Sequence, residues 1–534
     1  MKKFLLILIV MLAAFLRLYR LSDVPPGINR DEASIGYTAF SLMTTGRDEY
    51  GRSFPLSFES FGDWKLPLYI YTTIPLVKIF GLNELAVRLP SALAGIASVA
   101  ATYYLARVLF ASETIALLSA AVLAVSPWHI HISRVESEAI VAVFLTVMGS
   151  IWFLRRKLLL SSIFFAATYY TYHGNHISTS LLLVGIACIY WKEIIKIRRF
   201  WVAIVLQAIA IGIILSITLS ADRTKISGIS IFGDPTVVHT QIELPRLEHS
   251  NPNSLTSRLI HNRLMYAVVT IFQNYLKSYG PEFLFIKGGG NSAHNIQGYG
   301  NLHPIEAPLL LFGIIWLFVN IRSKHARFIL WWIAVGAVAA AITKDAPHSN
   351  RMLVVVPALS IAIGGGIYYL WRLVPKQTHK ILLVILVVSY LSCMAYYLDR
   401  YFVHFPKTEA ANWGYAYKKL THLLFSPEYV NKDIIMTKPE TSPYIYLLFY
   451  SRYSPKDYQR WAKRYPVSSD GFTDVAGFER FSFRAIDWAA DLSRHNTLLV
   501  VDADEVPSAL SRQIVSTILL PDESSQFVVL DTGK

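Results

Sequence analysis

Eleven apolar stretches punctuate this sequence, and a chain that carries them has few places to put them other than a lipid bilayer. A helix needs about 20 apolar residues to cross the hydrocarbon. The stretches are 4–21, 84–108, 113–131, 138–154, 158–174, 177–191, 200–220, 305–321, 327–343, 352–370 and 381–398. Of the 534 residues only 16% are charged and 54% are hydrophobic, whereas a soluble domain carries roughly 25% charged residues. That deficit leaves much of the surface to lipid. The net charge of +14 does not point to nucleic acid, because the basic residues cluster between apolar stretches rather than along one stripe. Cys188 and Cys393 both lie inside apolar stretches, so neither a disulfide framework nor a Cys-based metal pattern is present.

Met1-Lys2-Lys3 followed by Phe4 to Leu16 resembles a signal peptide, but no small-residue cleavage site follows. It reads as an uncleaved first span, with Arg17 snorkelling to the outer interface. Lys and Arg in the short loops then set the orientation. With the N-terminus inside, the inner segments hold Lys2, Lys3, Arg107, Arg155, Arg156, Lys157, Lys192, Lys196, Arg198, Arg199, Arg322, Lys324, Arg327, Arg372, Lys376 and Lys380. The short outer loops hold only Arg134, Lys344 and Arg351. The expectation is a polytopic α-helical protein of the cytoplasmic membrane with about 11 spans, N-terminus in and C-terminus out.

Three long segments fall outside: loops 22–83 and 221–304, and the tail 399–534. The first contains an apolar stretch, Leu66 to Phe80, broken by Pro67 and Pro75, which reads as interfacial or re-entrant. The tail has the charge density of a soluble domain. Tyr444–Tyr450, Thr497–Val501 and Phe527–Leu530 read as strands, Thr408–Leu424 and Phe481–Leu492 as helices, together a small extracytoplasmic α/β domain. The domain boundary is therefore expected between a membrane domain, 1–398, and the soluble domain, 399–534.

The outer segments carry the chemistry. Asp31-Glu32 opens a helical pattern, so it is either an acidic pair favoured by the helix terminus or a general base for a hydroxyl. Lys65 beside Trp64 is an interfacial anchor or a point-charge phosphate ligand. His348 and Arg351 lie one turn apart, as an interface flank or an anion clamp. Glu138 opens a span, where the dipole alone accounts for it or where it serves a substrate. His173 and His176 read as interfacial histidines without the partners of a metal site.

These residues occur in an order that resembles a known family. Arg17-Leu-Tyr-Arg-Leu leads into Pro26-Gly-Ile-Asn-Arg-Asp31-Glu32-Ala33, then Trp64-Lys65-Leu-Pro67-Leu-Tyr69, then Arg88-Leu-Pro-Ser-Ala-Leu. Ser126-Pro-Trp-His129 and Ser133-Arg134 precede Glu138, and Pro347-His348 with Arg351 follows late in the chain. The set, across roughly residues 4–400, resembles GT-C-fold glycosyltransferases of the family 39 type, which include protein O-mannosyltransferases and lipid A aminoarabinose transferases. It is most similar to a bacterial branch that shares the Gly46-Arg-Asp-Glu-Tyr-Gly-Arg52 and Ser57–Lys65 stretches. Where that branch often has Asn-Pro-Arg-His, this chain reads Asn291-Ser292-Ala293-His294.

The resemblance implies a transferase that takes a sugar from a polyprenyl-phosphate donor in the membrane and passes it to a protein, lipid or glycan hydroxyl outside, with inversion. It implies Asp31 as the base, supported by Glu32. Lys65, Arg134, His348 and Arg351 would hold the donor phosphate, and Arg88, Glu138, Tyr69, His173 and His294 would line the substrate site. Some relatives hold a divalent cation between acidic loops. The resemblance implies no required cofactor here, and Asp31 and Glu138 are the residues that would ligate such a cation. Two other readings stay open: a transporter or flippase of lipid-linked glycans, expected to show midplane charges and repeated halves, and a non-catalytic scaffold built on the C-terminal domain.

Overall fold

The computed structural model describes residues 2–221, 230–234, 236–468 and 471–533. Residues 222–229 and 235 of the expected loop 221–304 lie outside the described residues. Every one of the eleven apolar stretches falls on a helix. Among the described residues, five helices qualify by length and composition to cross a membrane: Glu84–Phe110, Gly174–Ile194, Phe200–Ile217, Ser349–Leu373 and Lys376–Thr408. A sixth is added if Glu113–Val125 and Pro127–Ser133, bent by 58°, count as one span. Pro67–Phe80, Glu138–Leu154, Leu158–Tyr169 and Glu306–Val319 are shorter apolar helices.

The chain forms two compact units, made of Met1–Arg17, Ser91–Ser133 and Ser137–Tyr397, and of Leu18–Pro90, Arg134–Glu136 and Leu398–Lys534. This division differs from a boundary at 398/399, because the segment 18–90 packs with the C-terminal segment.

The first unit is a helical bundle around one apolar core. Small residues let its backbones approach, the usual device where lipid supplies no hydrophobic drive between helices. A Cβ on Gly366 would lie 2.1 Å from the Leu309 carbonyl oxygen, and one on Gly364 would lie 2.7 Å from the Ser119 nitrogen. Arg17 does not snorkel. It is fully buried and donates to the carbonyls of Ala13, Leu123 and Ala124, with Nη2 also 2.7 Å from His129 Nδ1. Free bundle carbonyls satisfy it more cheaply than a stretched side chain would.

The second unit holds two sheets. A hairpin pairs β1 (Phe58–Ser60) with β2 (Asp63–Lys65) through Phe61-Gly62, both at positive φ, as a tight two-residue hairpin turn requires. Gly62 is also pressed against the Gly471 carbonyl, where a Cβ would sit 2.1 Å from the oxygen. The larger sheet contains β3 (Asp433–Met436), β4 (Lys463–Arg464), β5 (Val475–Phe478), β6 (Phe481–Phe483), β7 (Thr497–Asp502), β8 (Ile514–Leu519) and β9 (Ser525–Asp531). Its order is β4-β5-β6-β3-β7-β9-β8, with β3 parallel to β6 and β7 and the other pairs antiparallel.

Two expected elements change type. Tyr444–Tyr450 lies in a helix, Pro443–Ser451, opened by a proline at its first position and buried almost all round. A continuous apolar run shows no period, so its sequence could not separate strand from helix. Phe481–Leu492 is not one helix. Phe481 and Phe483 are buried around exposed Ser482, the period of a strand, and only Trp488–Asp491 is helical. In Thr408–Leu424 the helix itself starts at Tyr415, after Gly414 at φ 59°.

Candidate functional site

Asn29 starts the helix Arg30–Thr45. Its side chain accepts from the Glu32 N–H at 2.8 Å, and Glu32 Oε2 accepts from the Asn29 N–H at 3.2 Å, a reciprocal capping box. The first turn thereby holds Asp31 and Glu32 at the positive end of the helix dipole.

Their environments then diverge. Glu32 has no exposed surface. Its Oε1 accepts from Arg88 Nε and the Glu136 N–H, both at 2.9 Å, and its Oε2 accepts from Arg88 Nη2 at 2.9 Å. Arg88, equally buried, donates further to the carbonyls of Leu21, Pro25 and Gly27 at 3.1, 3.1 and 2.5 Å. All five guanidinium donors are thus used. The pair holds the 21–27 turn to the helix and cannot reach a substrate without unmaking that network. Glu32 and Arg88 brace the backbone around them.

Asp31 faces outward, with its side chain 55% exposed. Lys65 Nζ reaches it at 2.5 Å from a nearly buried position. The hairpin explains how. Period-two alternation puts Ser60, Asp63 and Lys65 on one face, and Ser60 Oγ lies 2.6 Å from Ser34 Oγ on the helix, so that face meets the helix's first turns. Burial pulls the lysine's titration down, but the carboxylates of Asp31, Asp63 and Glu136 outweigh it and hold the ammonium above the ordinary lysine range. Asp63 and Glu136 stand among the charged residues of the outer loops, but their sequence assigns them no role at the site. The Asp-x-Lys alternation would have revealed Asp63, whereas Glu136 arrives from a distant segment without local signal.

Arg134 is fully buried. It donates to the Val24 and Arg20 carbonyls at 2.9 and 3.3 Å and to the Tyr401 hydroxyl at 3.3 Å, and its guanidinium lies 5.0 Å from the Phe402 ring centroid. Tyr69, also buried, donates to the Val87 carbonyl at 2.8 Å. Both brace this unit. A further carboxylate lies in the Gly46–Arg52 stretch, where the sequence assigns it no role. Glu49 is buried with neither oxygen hydrogen-bonded, and burial, offset in part by Arg464, pushes its carboxyl up to about 8.

The bundle unit holds the other expected residues. His348 caps a helical turn, its Nδ1 accepting from the Arg351 N–H at 3.3 Å. Burial, with His294 and Arg351 adding to it, holds His348 neutral, so Nε2 carries the proton and can donate. The His294 and His348 rings lie 5.0 Å apart. With Gly289, Gly290, Asn291, Asp345, Pro347 and Ser349 they line a cavity of about 280 Å³. Arg351 reaches Thr343 Oγ1 at 2.8 Å and Asp345 Oδ2 at 3.4 Å. Glu138 is the first residue of its helix, and His173 packs edge-on against His176 at 5.3 Å. Among the described residues, no group of three or more His, Cys, Asp or Glu gathers to hold a metal ion.

Comparison with known proteins places this architecture. Crystal structures of ArnT from Cupriavidus metallidurans, in the apo state and bound to undecaprenyl phosphate, superpose with TM-scores of 0.56 and 0.57 at 13% and 14% identity. The matches cover 99% and 98% of this chain and 97% of the other in each case. The chain has the GT-C fold. The family model described as dolichyl-phosphate-mannose-protein mannosyltransferase matches residues 7–188. No curated protein sequence matches the chain.

Proposed function

We propose that the chain is a membrane glycosyltransferase that moves a sugar from a polyprenyl-phosphate carrier to an acceptor hydroxyl on the outer face of the membrane. The observation that carries the reading is Asp31: an outward-facing carboxylate at a helix terminus, steadied by a nearly buried lysine. In this mechanism the acceptor oxygen attacks the anomeric carbon and its proton passes to Asp31. The bond from that carbon to the phosphate oxygen breaks, and the polyprenyl phosphate leaves with the bonding pair. A single displacement inverts the anomeric centre. Lys65 keeps Asp31 ionised and aimed, so it serves as a positioning residue rather than a phosphate ligand; three carboxylates already claim its charge.

The donor phosphate is assigned to His348 and Arg351, a neutral N–H donor and a fixed cation that stabilise a departing anion. Support for a polyprenyl carrier comes from the ArnT structure with undecaprenyl phosphate. The proposed topology has eleven spans, the N-terminus inside, and the loops 22–83 and 221–304 and the tail 399–534 outside. It rests on the distribution of Lys and Arg. The test is purified protein in proteoliposomes with a panel of polyprenyl-phosphate sugars, scored for released polyprenyl phosphate. Release that Asp31→Asn abolishes supports the assignment. No release with any donor would favour a carrier of lipid-linked glycans, and full activity in the variant removes Asp31 as the base.

A further inference from the structure

The helix Arg263–Ser278 wears its amphipathicity the wrong way round for a water-facing element. Leu264, Val268, Phe272 and Leu276 recur every four residues and share one face. They are 74%, 55%, 61% and 54% exposed. The opposite edge is polar and turned into the bundle. Asn274 is buried and donates from Nδ2 to the carbonyls of Ala341 and Thr343 at 3.0 and 3.2 Å. Ser278, one turn on, is fully buried and donates to the Asn274 carbonyl at 2.7 Å, and at the C-terminal end of the helix Tyr275 and Tyr279 bond the Ala334 and Ile333 carbonyls. The preceding turn Leu255–Ile260 repeats the inversion: Ser257 is buried, whereas Leu255, Leu259 and Ile260 are exposed.

Water would oppose this arrangement, since a run of large exposed side chains marks a contact surface. The surrounding charge says which contact. Between Glu248 and Glu282 there is no acidic residue, while Arg258, Arg263 and Lys277 are present and exposed. An apolar helical face bordered only by cations is the signature of a helix lying in the headgroup–acyl boundary of a lipid leaflet. We infer that the segment 255–278 is such an interfacial element: its apolar face is immersed in phospholipid acyl chains, its cations meet lipid phosphates, and its polar edge is hydrogen-bonded to the bundle. This differs from a span, which would need a longer apolar run. It also differs from a docking face for a second copy, which would not call for a uniformly cationic border.

The test uses the full chain in vesicles. With Cys188 and Cys393 replaced by serine, single cysteines at Val268, Phe272 and, as a flank control, exposed Gln273 are labelled with an environment-sensitive fluorophore. Vesicles of phosphatidylcholine with phosphatidylglycerol carry spin-labelled acyl chains. Blue-shifted emission at Val268→Cys and Phe272→Cys, with lipid quenching about twofold or more above that at Gln273→Cys, is the expected result. Iodide quenching at Val268→Cys and Phe272→Cys equal to that of the flank, without lipid quenching, overturns the inference. So does protection that grows with protein-to-lipid ratio but shows no lipid quenching, the outcome for a second copy. Monodisperse elution of each labelled variant keeps misfolding from imitating either result.

Discussion

Asp31 and Glu32 are chain neighbours on one helical turn, yet the structure treats them oppositely. The outer pair, Asp31 with Lys65, leaves its carboxylate more than half exposed. The inner pair, Glu32 with Arg88, excludes water altogether and ties together four backbone segments. The difference teaches how an acidic doublet divides its work. A buried carboxylate with every lone pair engaged fixes geometry and is unable to take a proton from a substrate. Its exposed neighbour inherits that geometry and stays chemically available.

The comparison breaks most visibly at Arg88. Arg88→Met leaves Glu32 as an unpaired buried charge, with an expected loss of about 3–5 kcal/mol, read as a lowered Tm and aggregation in detergent. Arg88→Lys does not restore it, because one ammonium cannot fill five donor positions. Next comes Asp31→Asn: turnover falls about 10²–10⁴-fold while Tm moves little, since Asp63 and Glu136 still face the lysine. A Tm loss as large as that of Arg88→Met would make Asp31 a second brace. A smaller effect is expected for Lys65→Met. Without the ammonium Asp31 loses the partner that aims it, and roughly a tenfold loss of turnover at neutral pH is expected in the same release assay.

The smallest effect concerns Glu49, the buried carboxylate with no hydrogen bond. Its folded-state titration, near 8, lies above the ordinary value of 4.5. The folded state therefore binds more protons than the unfolded state between these values, and stability falls as pH rises from 4.5 to 8, then levels off. Glu49→Gln should flatten that slope by a few degrees of Tm, measured across the same pH range.

Much of this was legible in the chain. The apolar stretches marked where the bundle helices lie, and the Asp31 helix declared itself through Asn29 and Glu32. The division of labour between Asp31 and Glu32 was not legible, because it depends on where Arg88 and Glu136 arrive in three dimensions. Arg17 and Arg134 looked like interfacial or phosphate-binding cations. In the structure both donate to backbone carbonyls, which every residue possesses and no pattern advertises. Tyr444–Tyr450 misled for the complementary reason: burial on all sides erases the period that separates helix from strand.

The second unit joins residues 18–90 to residues 398–534, with contacts such as the Tyr37 hydroxyl donating to the Tyr453 carbonyl at 3.1 Å. In a growing polypeptide these segments emerge far apart in time. At about 5–20 residues per second, roughly 15–60 s separate the synthesis of residue 90 from that of residue 398. Throughout that interval the Asp31 helix has Pro67–Phe80 to pack on but lacks the C-terminal helices Pro443–Ser451 and Pro455–Trp461, and the side they cover lies open to chaperones or proteases. Folding of this unit is thus among the last events in the protein's biogenesis, and a ribosome that stalls late leaves residues 18–90 without the C-terminal segment they pack with.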